Sequence, residues 1–103
     1  MSKPLVCVTV TGATTAELRQ KRDAVVDADL VELRLDSVSD PSVAGALAGR
    51  RTPVIVTCRP VWEGGGFSGS EDDRKRILAD ALSLGATAAT LDEVRLRGVA
   101  CGA

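Results

Sequence analysis

Three short, evenly spaced apolar segments restrict the fold of this chain more than any other feature. They are Leu5–Val10, Leu30–Leu35 and Pro53–Cys58, so they begin 25 and then 23 residues apart. Each is rich in Val, Ile, Leu and Thr and is too short for a typical helix, which predicts strands. Strands that alternate with helix-length segments are typical of parallel α/β proteins.

The segments between the predicted strands carry helix start signals. Thr14-x-x-Glu17 has the form of a capping box, and Ser70 begins another helix with three acidic residues in its first turn. A shorter and weaker helix is predicted within residues 39–49, with Asp40-Pro41 as its candidate start. The predicted order is therefore β-α-β-α-β-loop-α, with a possible fourth strand within residues 86–91.

A (β/α)8 barrel suits a repeat of this length, since eight such units need about 250 residues. The 103 residues would supply three to four βα units, the N-terminal portion of a barrel with parallel strands. An open flavodoxin-like sheet needs five strands, which a chain of this length hardly provides. We interpret residues 1–92 as a partial barrel and residues 93–103 as a frayed or disordered tail, because the hydrophobic periodicity is lost there.

Composition is that of an ordinary soluble globular protein and excludes several classes of function. The net charge of −1 gives no bulk attraction to nucleic acid or to an anionic membrane. Three cysteines outside any CxxC arrangement, and an N-terminus without a signal peptide, indicate reduced thiols in a cytoplasmic protein. The chain contains no histidine, so it cannot complete a mechanism that needs an imidazole.

Charged residues inside a parallel strand require an explanation, because both faces of such a strand are usually buried. In LVELRLD, Glu32 and Arg34 lie two residues apart and share a face, and Arg59 follows the third apolar segment. Ligand sites in parallel α/β folds gather at the carboxyl ends of strands, so we expect these side chains to converge on one polar pocket. Two arginines there favour an anionic small molecule. A buried ion pair between Glu32 and either arginine is the structural alternative.

The loop after the third strand contains GGGFSG, which matches G-x-G-x-x-G from Gly64 to Gly69. We reject a dinucleotide site, because PVWE separates the glycines from the strand and the helix begins only near Ser70. Adjacent glycines are typical of a mobile lid or an exposed turn. A lid would carry Trp62 and Glu63 over the polar pocket.

The segments VELRLD and PVIVTCRPVWEGGGFSGSEDDRKRILADALSLGA resemble type I 3-dehydroquinate dehydratase, the Schiff-base-forming lyase of the shikimate pathway. The family motifs E-x-R-x-D and T-x-R-x-x-x-E-G-G are both complete here, and the likeness extends from about Leu5 to Ala86. The resemblance implies a (β/α)8 barrel that converts 3-dehydroquinate to 3-dehydroshikimate and water. It also implies a homodimer that uses no metal or nucleotide cofactor. Asp27 stands where the family has a small residue, usually glycine.

Position by position, the resemblance assigns Glu32, Arg34 and Arg59 to the hydroxyls and carboxylate of the substrate, and Glu63 to the orientation of a catalytic histidine. The family's histidine and imine-forming lysine lie on later strands, which this sequence does not match. The predicted function is a dehydratase-type lyase in a truncated form, inactive by itself. The alternative is an inactive fragment or half-barrel binding module that retains only the substrate contacts. Unpaired strands also predict self-association through open sheet edges.

Overall fold

Strands and helices alternate along the chain, as the spacing of the apolar segments predicts. The computed structural model describes residues 5–86, 88–90 and 99–102. Within them the elements are β1 (Leu5–Val10), α1 (Thr15–Ala24), β2 (Leu30–Arg34), α2 (Val43–Leu47), β3 (Val54–Thr57), α3 (Glu71–Ser83), β4 (Ala88–Thr90) and β5 (Val99–Gly102). Short 3-10 turns at Leu35–Ser37 and Val61–Glu63 follow β2 and β3.

The strands form one parallel sheet in the order β4-β3-β2-β1-β5. In the register of the sheet, Glu32 lies opposite Thr9 on β1 and Ile55 on β3. Parallel neighbours joined by helical connections are the βα units of a partial barrel, so the predicted fold class is confirmed. The strand Ala88–Thr90 also confirms the fourth strand.

The predicted frayed tail does not describe all of the C-terminal segment. Val99–Gly102 form β5, which pairs with β1 from Leu5 to Val8. The prediction is wrong for these four residues, because backbone pairing with β1 does not require a hydrophobic pattern that a sequence would display. The rest of the predicted tail lies outside the described residues.

The two faces of the sheet bury different groups. One face packs against the helices and forms the main core, which includes Val10, Leu18, Val31, Leu33, Leu47, Val54, Val56 and Leu78. A smaller buried cluster on the other face consists of Cys7, Leu30 and Ile55. Because side chains alternate along a strand, Glu32 follows Leu30 on this second face, as the sequence predicts.

The two strong helix starts are confirmed. Thr14 Oγ1 accepts the amide of Glu17 at 3.2 Å, and the carboxylate of Glu17 accepts the amide of Ala13 at 3.3 Å. Ser70 Oγ accepts the amide of Asp73 at 3.1 Å. The bonds to Thr14 and Ser70 satisfy first-turn amides that have no partner within their own helix, and the bond to Glu17 satisfies the amide just before the N-cap. Among the described residues, every helix is too short or too polar to span a bilayer.

The helix α2 is shorter than predicted. Its N-cap is Ser42, whose Oγ accepts the amide of Gly45 at 3.1 Å. Asp40 is drawn away from this role because its carboxylate accepts the amide of Thr15, at the start of α1, at 2.8 Å. A contact 25 residues away along the chain therefore decides where α2 begins.

The turn before β2 contains a non-glycine residue with a positive φ, Asp27. Its φ is 58°, in the left-handed region that glycine adopts at no steric cost. Aspartate is one of the few other residues that tolerate this conformation. The departure from the family's usual small residue is thus compatible with the same turn.

Cys7 and Cys58 are both buried but differ in chemical state. Cys58 is a free thiol, and burial raises its pKa to about 12, so it stays protonated at neutral pH. Cys7 is disulfide-bonded, so the prediction of reduced thiols is wrong for this residue. The spacing of cysteines in the sequence does not reveal which thiols folding brings together.

Candidate active site

The carboxylate of Glu32 is held between hydroxyl groups from the strands on either side of it. Thr9 Oγ1 donates to Oε1 at 2.7 Å, and Thr57 Oγ1 donates to Oε2 at 2.7 Å. These two bonds fix the orientation of a half-buried carboxylate without using a cation. Because each carboxylate oxygen has two lone pairs, each can still accept a hydrogen bond from a hydroxyl group of a ligand.

Arg34 pairs with Asp36 rather than with Glu32. Its Nε donates to Oδ1 at 2.9 Å and its Nη2 donates to Oδ2 at 2.8 Å, which is the two-pronged geometry that makes such pairs specific. The Arg34 side chain is 25% exposed and that of Asp36 only 3%. The structural alternative of a Glu32–Arg34 ion pair is therefore wrong.

The Arg34–Asp36 pair is charged at neutral pH. The hydrogen bond to Asp36 raises the pKa of Arg34 above its ordinary value. Burial alone would raise the pKa of Asp36, but the hydrogen bonds from Arg34 and from the amide of Gly66 outweigh it and lower that pKa. The pair fixes the guanidinium of Arg34 at the carboxyl end of β2. Its bonds to Asp36 use Nε and Nη2, so Nη1 can donate to another partner.

The loop that follows β3, residues 60–69, is closed by its own backbone and is called the glycine loop below. The amide of Phe67 donates to the carbonyl of Arg59 at 3.1 Å, and the amide of Val61 donates to the carbonyl of Phe67 at 3.1 Å. The amide of Gly65 donates to the carbonyl of Pro60 at 2.9 Å. Of the two interpretations of the glycines, the structure matches a turn that folds back on its own base.

Each of the three adjacent glycines has a backbone reason to be glycine. Gly64 has a φ of 84°. A Cβ atom on Gly65 would lie 2.1 Å from the carbonyl oxygen of Arg59, and one on Gly66 would lie 2.8 Å from that of Asp36. Such distances exclude any side chain without movement of the backbone. The loop therefore needs its glycines for its backbone conformation and for close packing.

A buried arginine, Arg74 on α3, supports the glycine loop and was not singled out in the sequence. Its Nη1 donates to the carbonyl of Cys58 at 3.2 Å, and its Nε donates to Glu71 at 2.9 Å. The guanidinium lies 5.8 Å from the ring centroid of Trp62, within the range of a cation–π interaction. The helical pair with Glu71 is visible in the sequence at a spacing of three, but the contact with Trp62 is not.

The predicted site residues lie at one end of the sheet. Glu32 and Arg34 lie in the carboxyl half of β2, Arg59 follows β3 by two residues, and Glu63 ends the 3-10 turn of the glycine loop. Because β2 and β3 are parallel with Arg34 opposite Thr57, both strands deliver these residues toward the same end. Within the described part of the chain, no group of three or more metal-ligating side chains is found.

The fold and this end of the sheet are those of α/β barrel proteins that bind small molecules at the carboxyl ends of their strands. The family model for type I 3-dehydroquinase matches residues 6–95, and the chain belongs to that family. The match extends beyond the segment in which the sequence motifs are recognisable.

Three curated relatives, each named 3-dehydroquinate dehydratase, are similar to this chain. The protein of Desulfotalea psychrophila is 36% identical over 79% of this chain and 36% of its own length. That of Methanothermobacter thermautotrophicus is 33% identical over 92% of this chain and 48% of its own length. That of Dehalococcoides mccartyi is 40% identical over 84% of this chain and 37% of its own length. The chain thus spans less than half the length of these relatives.

Proposed function

We propose that this chain is the substrate-binding part of a 3-dehydroquinate dehydratase, the lyase that converts 3-dehydroquinate to 3-dehydroshikimate and water. Membership of the family and the names of the relatives support this proposal. The observation that carries it is the carboxylate of Glu32, held by two threonine hydroxyls beside the Arg34–Asp36 pair. We take residues 1–92 as the partial barrel that presents this site.

The roles of the binding residues follow from their chemistry. Glu32 accepts hydrogen bonds from substrate hydroxyls, because its two oxygens retain acceptor capacity toward the open side. Arg59 and Arg34 bind the substrate carboxylate, since a guanidinium matches its planar geometry. Their placement at the ends of two adjacent parallel strands supports a shared ligand.

Glu63 has a different role, in which it acts through another residue. It lies half-buried at the end of the 3-10 turn, and its amide donates to the carbonyl of Pro60 at 3.0 Å. A carboxylate in such a position orients a histidine base and stabilises its protonated form. The chain itself contains no histidine, so a base would have to come from additional chain.

The imine-forming step also needs an amine, and neither of the two lysines in the described part of the chain lies at the site. Lys21 is exposed on α1 and pairs with Glu17 at 3.0 Å, and Lys75 is exposed on α3. Neither lies at the carboxyl end of a strand, where burial could lower the pKa of an amine for attack on a ketone. We therefore propose that the chain alone binds 3-dehydroquinate but does not dehydrate it.

Isothermal titration calorimetry with 3-dehydroquinate tests the binding role. We expect Arg59→Ala to weaken binding at least about tenfold, because a charge-assisted bidentate contact is lost. The matched control Arg51→Ala removes the same charge at the opposite end of the sheet and should leave the affinity unchanged. Equal affinities for wild type and Arg59→Ala would contradict the proposed pocket, as would a wild-type chain that does not bind.

Borohydride reduction in the presence of 3-dehydroquinate tests the absence of turnover. An imine would be trapped as a covalent adduct, and mass spectrometry would locate it on a lysine. We expect the mass of the chain to remain unchanged. An adduct on any lysine would refute the proposal that this chain is inactive alone.

Self-association is proposed from the sheet topology. Among the described strands, β4 and β5 are the outer strands, and each pairs with one neighbour. Outer strands present amides and carbonyls to a second copy, which favours association through these edges. Size-exclusion chromatography with light scattering should show oligomers that grow with concentration. A monodisperse monomer that melts cooperatively would contradict this expectation.

A cytoplasmic location is proposed on the ground that the family is biosynthetic. The disulfide of Cys7 opposes it, because disulfides are rare in a reducing cytoplasm. Acid-quenched alkylation in cells followed by mass spectrometry distinguishes a reduced Cys7 from a disulfide-bonded Cys7. Alkylation of Cys7 in the cellular protein supports the cytoplasm, and protection of Cys7 contradicts it.

A further inference from the structure

Asp36 has partners on two separate parts of the chain. Its carboxylate accepts the fork of Arg34 from the end of β2, at 2.9 and 2.8 Å. Its Oδ2 also accepts the amide of Gly66, 30 residues further along, at 3.0 Å. One carboxylate with a side chain only 3% exposed therefore joins a site arginine to the glycine loop.

The geometry around Asp36 leaves little room for other arrangements. The residue lies in the 3-10 turn Leu35–Ser37, directly after β2. A Cβ atom on Gly66 would lie 2.8 Å from the carbonyl oxygen of Asp36 and 3.6 Å from the Cα of Ser37. The glycine loop thus packs with backbone against backbone over this turn, and its amide points at the carboxylate.

We propose that Asp36 is a positioning residue that couples the placement of Arg34 to the closure of the glycine loop. The guanidinium and the loop amide share Oδ2, so one cannot be displaced without weakening the hold on the other. Because Arg34 is partly exposed at the carboxyl end of β2 and the loop carries Glu63, a single group sets both sides of the proposed site. The link to substrate rests on the proposed function, whereas the link to the loop does not.

The charge of Asp36 is what makes it suitable. A carboxylate can accept from both nitrogens of the fork and from the amide at once, and buried bonds to a charged acceptor are stronger than neutral ones. An amide side chain at this position offers one acceptor oxygen and turns an NH2 group toward the guanidinium. Asp36→Asn therefore preserves the shape of the residue but loses the negative charge and the acceptor for Arg34 Nε, which weakens its hold on both partners.

Removing Arg34 should loosen the loop from the other side. Without the guanidinium, the buried carboxylate of Asp36 loses its countercharge, and a buried charge without a partner is strongly disfavoured. The carboxylate would turn toward water or take up a proton, and in either case its bond to Gly66 weakens. Arg34→Gln and Asp36→Asn should thus have the same effect on the loop, and the double variant should add little.

Two readouts follow the loop without any substrate. Amide hydrogen exchange at Gly66 reports the bond to Asp36, and exchange at Val56 in the core reports global unfolding. Trp62 is the single tryptophan of the chain and lies in the glycine loop, so acrylamide quenching of its fluorescence reports the loop alone. A merely global loss of stability would speed amide exchange at Val56 together with exchange at Gly66.

We expect Asp36→Asn and Arg34→Gln to speed exchange at Gly66 at least about tenfold relative to Val56, and to change the quenching of Trp62. The matched control is Asp40→Asn, since Asp40 also accepts a backbone amide, that of Thr15, but does so away from the loop. This control should change neither readout. Unchanged protection of Gly66 in folded Asp36→Asn would overturn the proposal.

Further outcomes separate the parts of the proposal. If Asp36→Asn does not fold, Arg34→Gln decides, because it breaks the same fork with Asp36 intact. Release of the loop by Asp36→Asn but not by Arg34→Gln would overturn the coupling. Titration with 3-dehydroquinate should show about tenfold weaker binding to Asp36→Asn. A wild-type chain that fails to bind would defeat the proposed function, yet the exchange data would still decide the role of Asp36.

Discussion

The two ends of the sheet use arginine in different ways. At the carboxyl end, Arg34 binds the side chain of Asp36, and the Arg34 side chain stays 25% exposed. At the amino end, where the helices finish, arginines donate to main-chain carbonyls. Arg22 Nη1 donates to the carbonyl of Ala46 at 2.7 Å.

Two further arginines repeat the pattern at the amino end. Arg50 Nη2 donates to the carbonyl of Gly85 at 3.0 Å, just beyond the end of α3. Arg51 Nη2 donates to the carbonyl of Asp23 at 3.3 Å, in the last turn of α1. The final carbonyls of a helix have no partner within it and carry partial negative charge, so an arginine both satisfies and neutralises them.

The difference separates stability from binding. At the amino end the arginines secure helix ends through backbone carbonyls in fixed positions, and Arg22 also pairs with the side chain of Asp23, with Nη2 donating to Oδ1 at 2.9 Å. At the carboxyl end the partner of Arg34 is a side chain, and a quarter of the arginine side chain stays exposed. The same division is general in (β/α)8 barrels, where one face stabilises and the other carries the chemistry.

The largest expected effect on the free energy of unfolding comes from replacing an arginine at the amino end. Arg22 is 5% exposed, and Arg22→Met leaves the carbonyl of Ala46 buried without its charged donor. We expect the free energy of unfolding to fall by about 3 kcal/mol, measured by urea denaturation. The Gly66 exchange rate relative to the core should not change. Arg19→Met, at an exposed position on the same helix, should cost less than about 0.5 kcal/mol. Equal stabilities for Arg22→Met and Arg19→Met would contradict the stabilising role of the buried Arg22.

An intermediate effect is expected at the carboxyl end as the pH falls. The folded-state pKa of Asp36 lies below its ordinary value near 3.9, so the folded chain binds this proton less readily than the unfolded chain. The stability that Asp36 contributes is therefore complete above the unfolded pKa and is lost as the pH falls through the folded pKa. One proton gives a slope of at most about 1.4 kcal/mol per pH unit.

Urea denaturation between about pH 5 and pH 2 measures this slope. Asp36→Asn should show a flatter dependence than the wild type, because the titrating group is gone. Parallel curves for the two proteins would mean that the pair with Arg34 does not lower the pKa of Asp36. The difference in slope, not in absolute stability, is the quantity that decides.

The smallest expected effect is the loss of one hydroxyl. Thr57→Val removes the bond to Glu32 Oε2 while keeping the size of the side chain. We expect a loss of about 1 kcal/mol in the free energy of unfolding by urea denaturation. Thr52→Val, at a partly exposed position at the amino end, should have a smaller effect. A Thr57→Val chain as stable as Thr52→Val would show that Glu32 does not depend on this hydroxyl.

The elements that were predicted well depend on interactions within a few residues. The strands β1 and β2 lie where the apolar segments lie, and Thr14 and Ser70 cap their helices because the amides they satisfy are three residues away. The alternation that places Glu32 and Arg34 on one face is likewise local, since it needs only the period of a strand.

The features that were not predicted depend on residues far apart in the chain. Asp40 serves the first turn of α1 instead of starting α2. Arg74 reaches from α3 to the end of β3 and to Trp62. No periodicity in the sequence records such contacts, because each needs two elements to be packed first.

The sequence by itself determined the family, the parallel α/β architecture and the four residues expected at the site, because motifs and strand periodicity are local properties. Only the tertiary structure decided the partners of those residues. Arg34 binds Asp36 instead of Glu32, and Asp36 binds the amide of Gly66, since a buried charge takes whichever opposite charge and donors the folded backbone brings within reach. Those partners are set by packing between strand β2 and the glycine loop, which no single segment encodes.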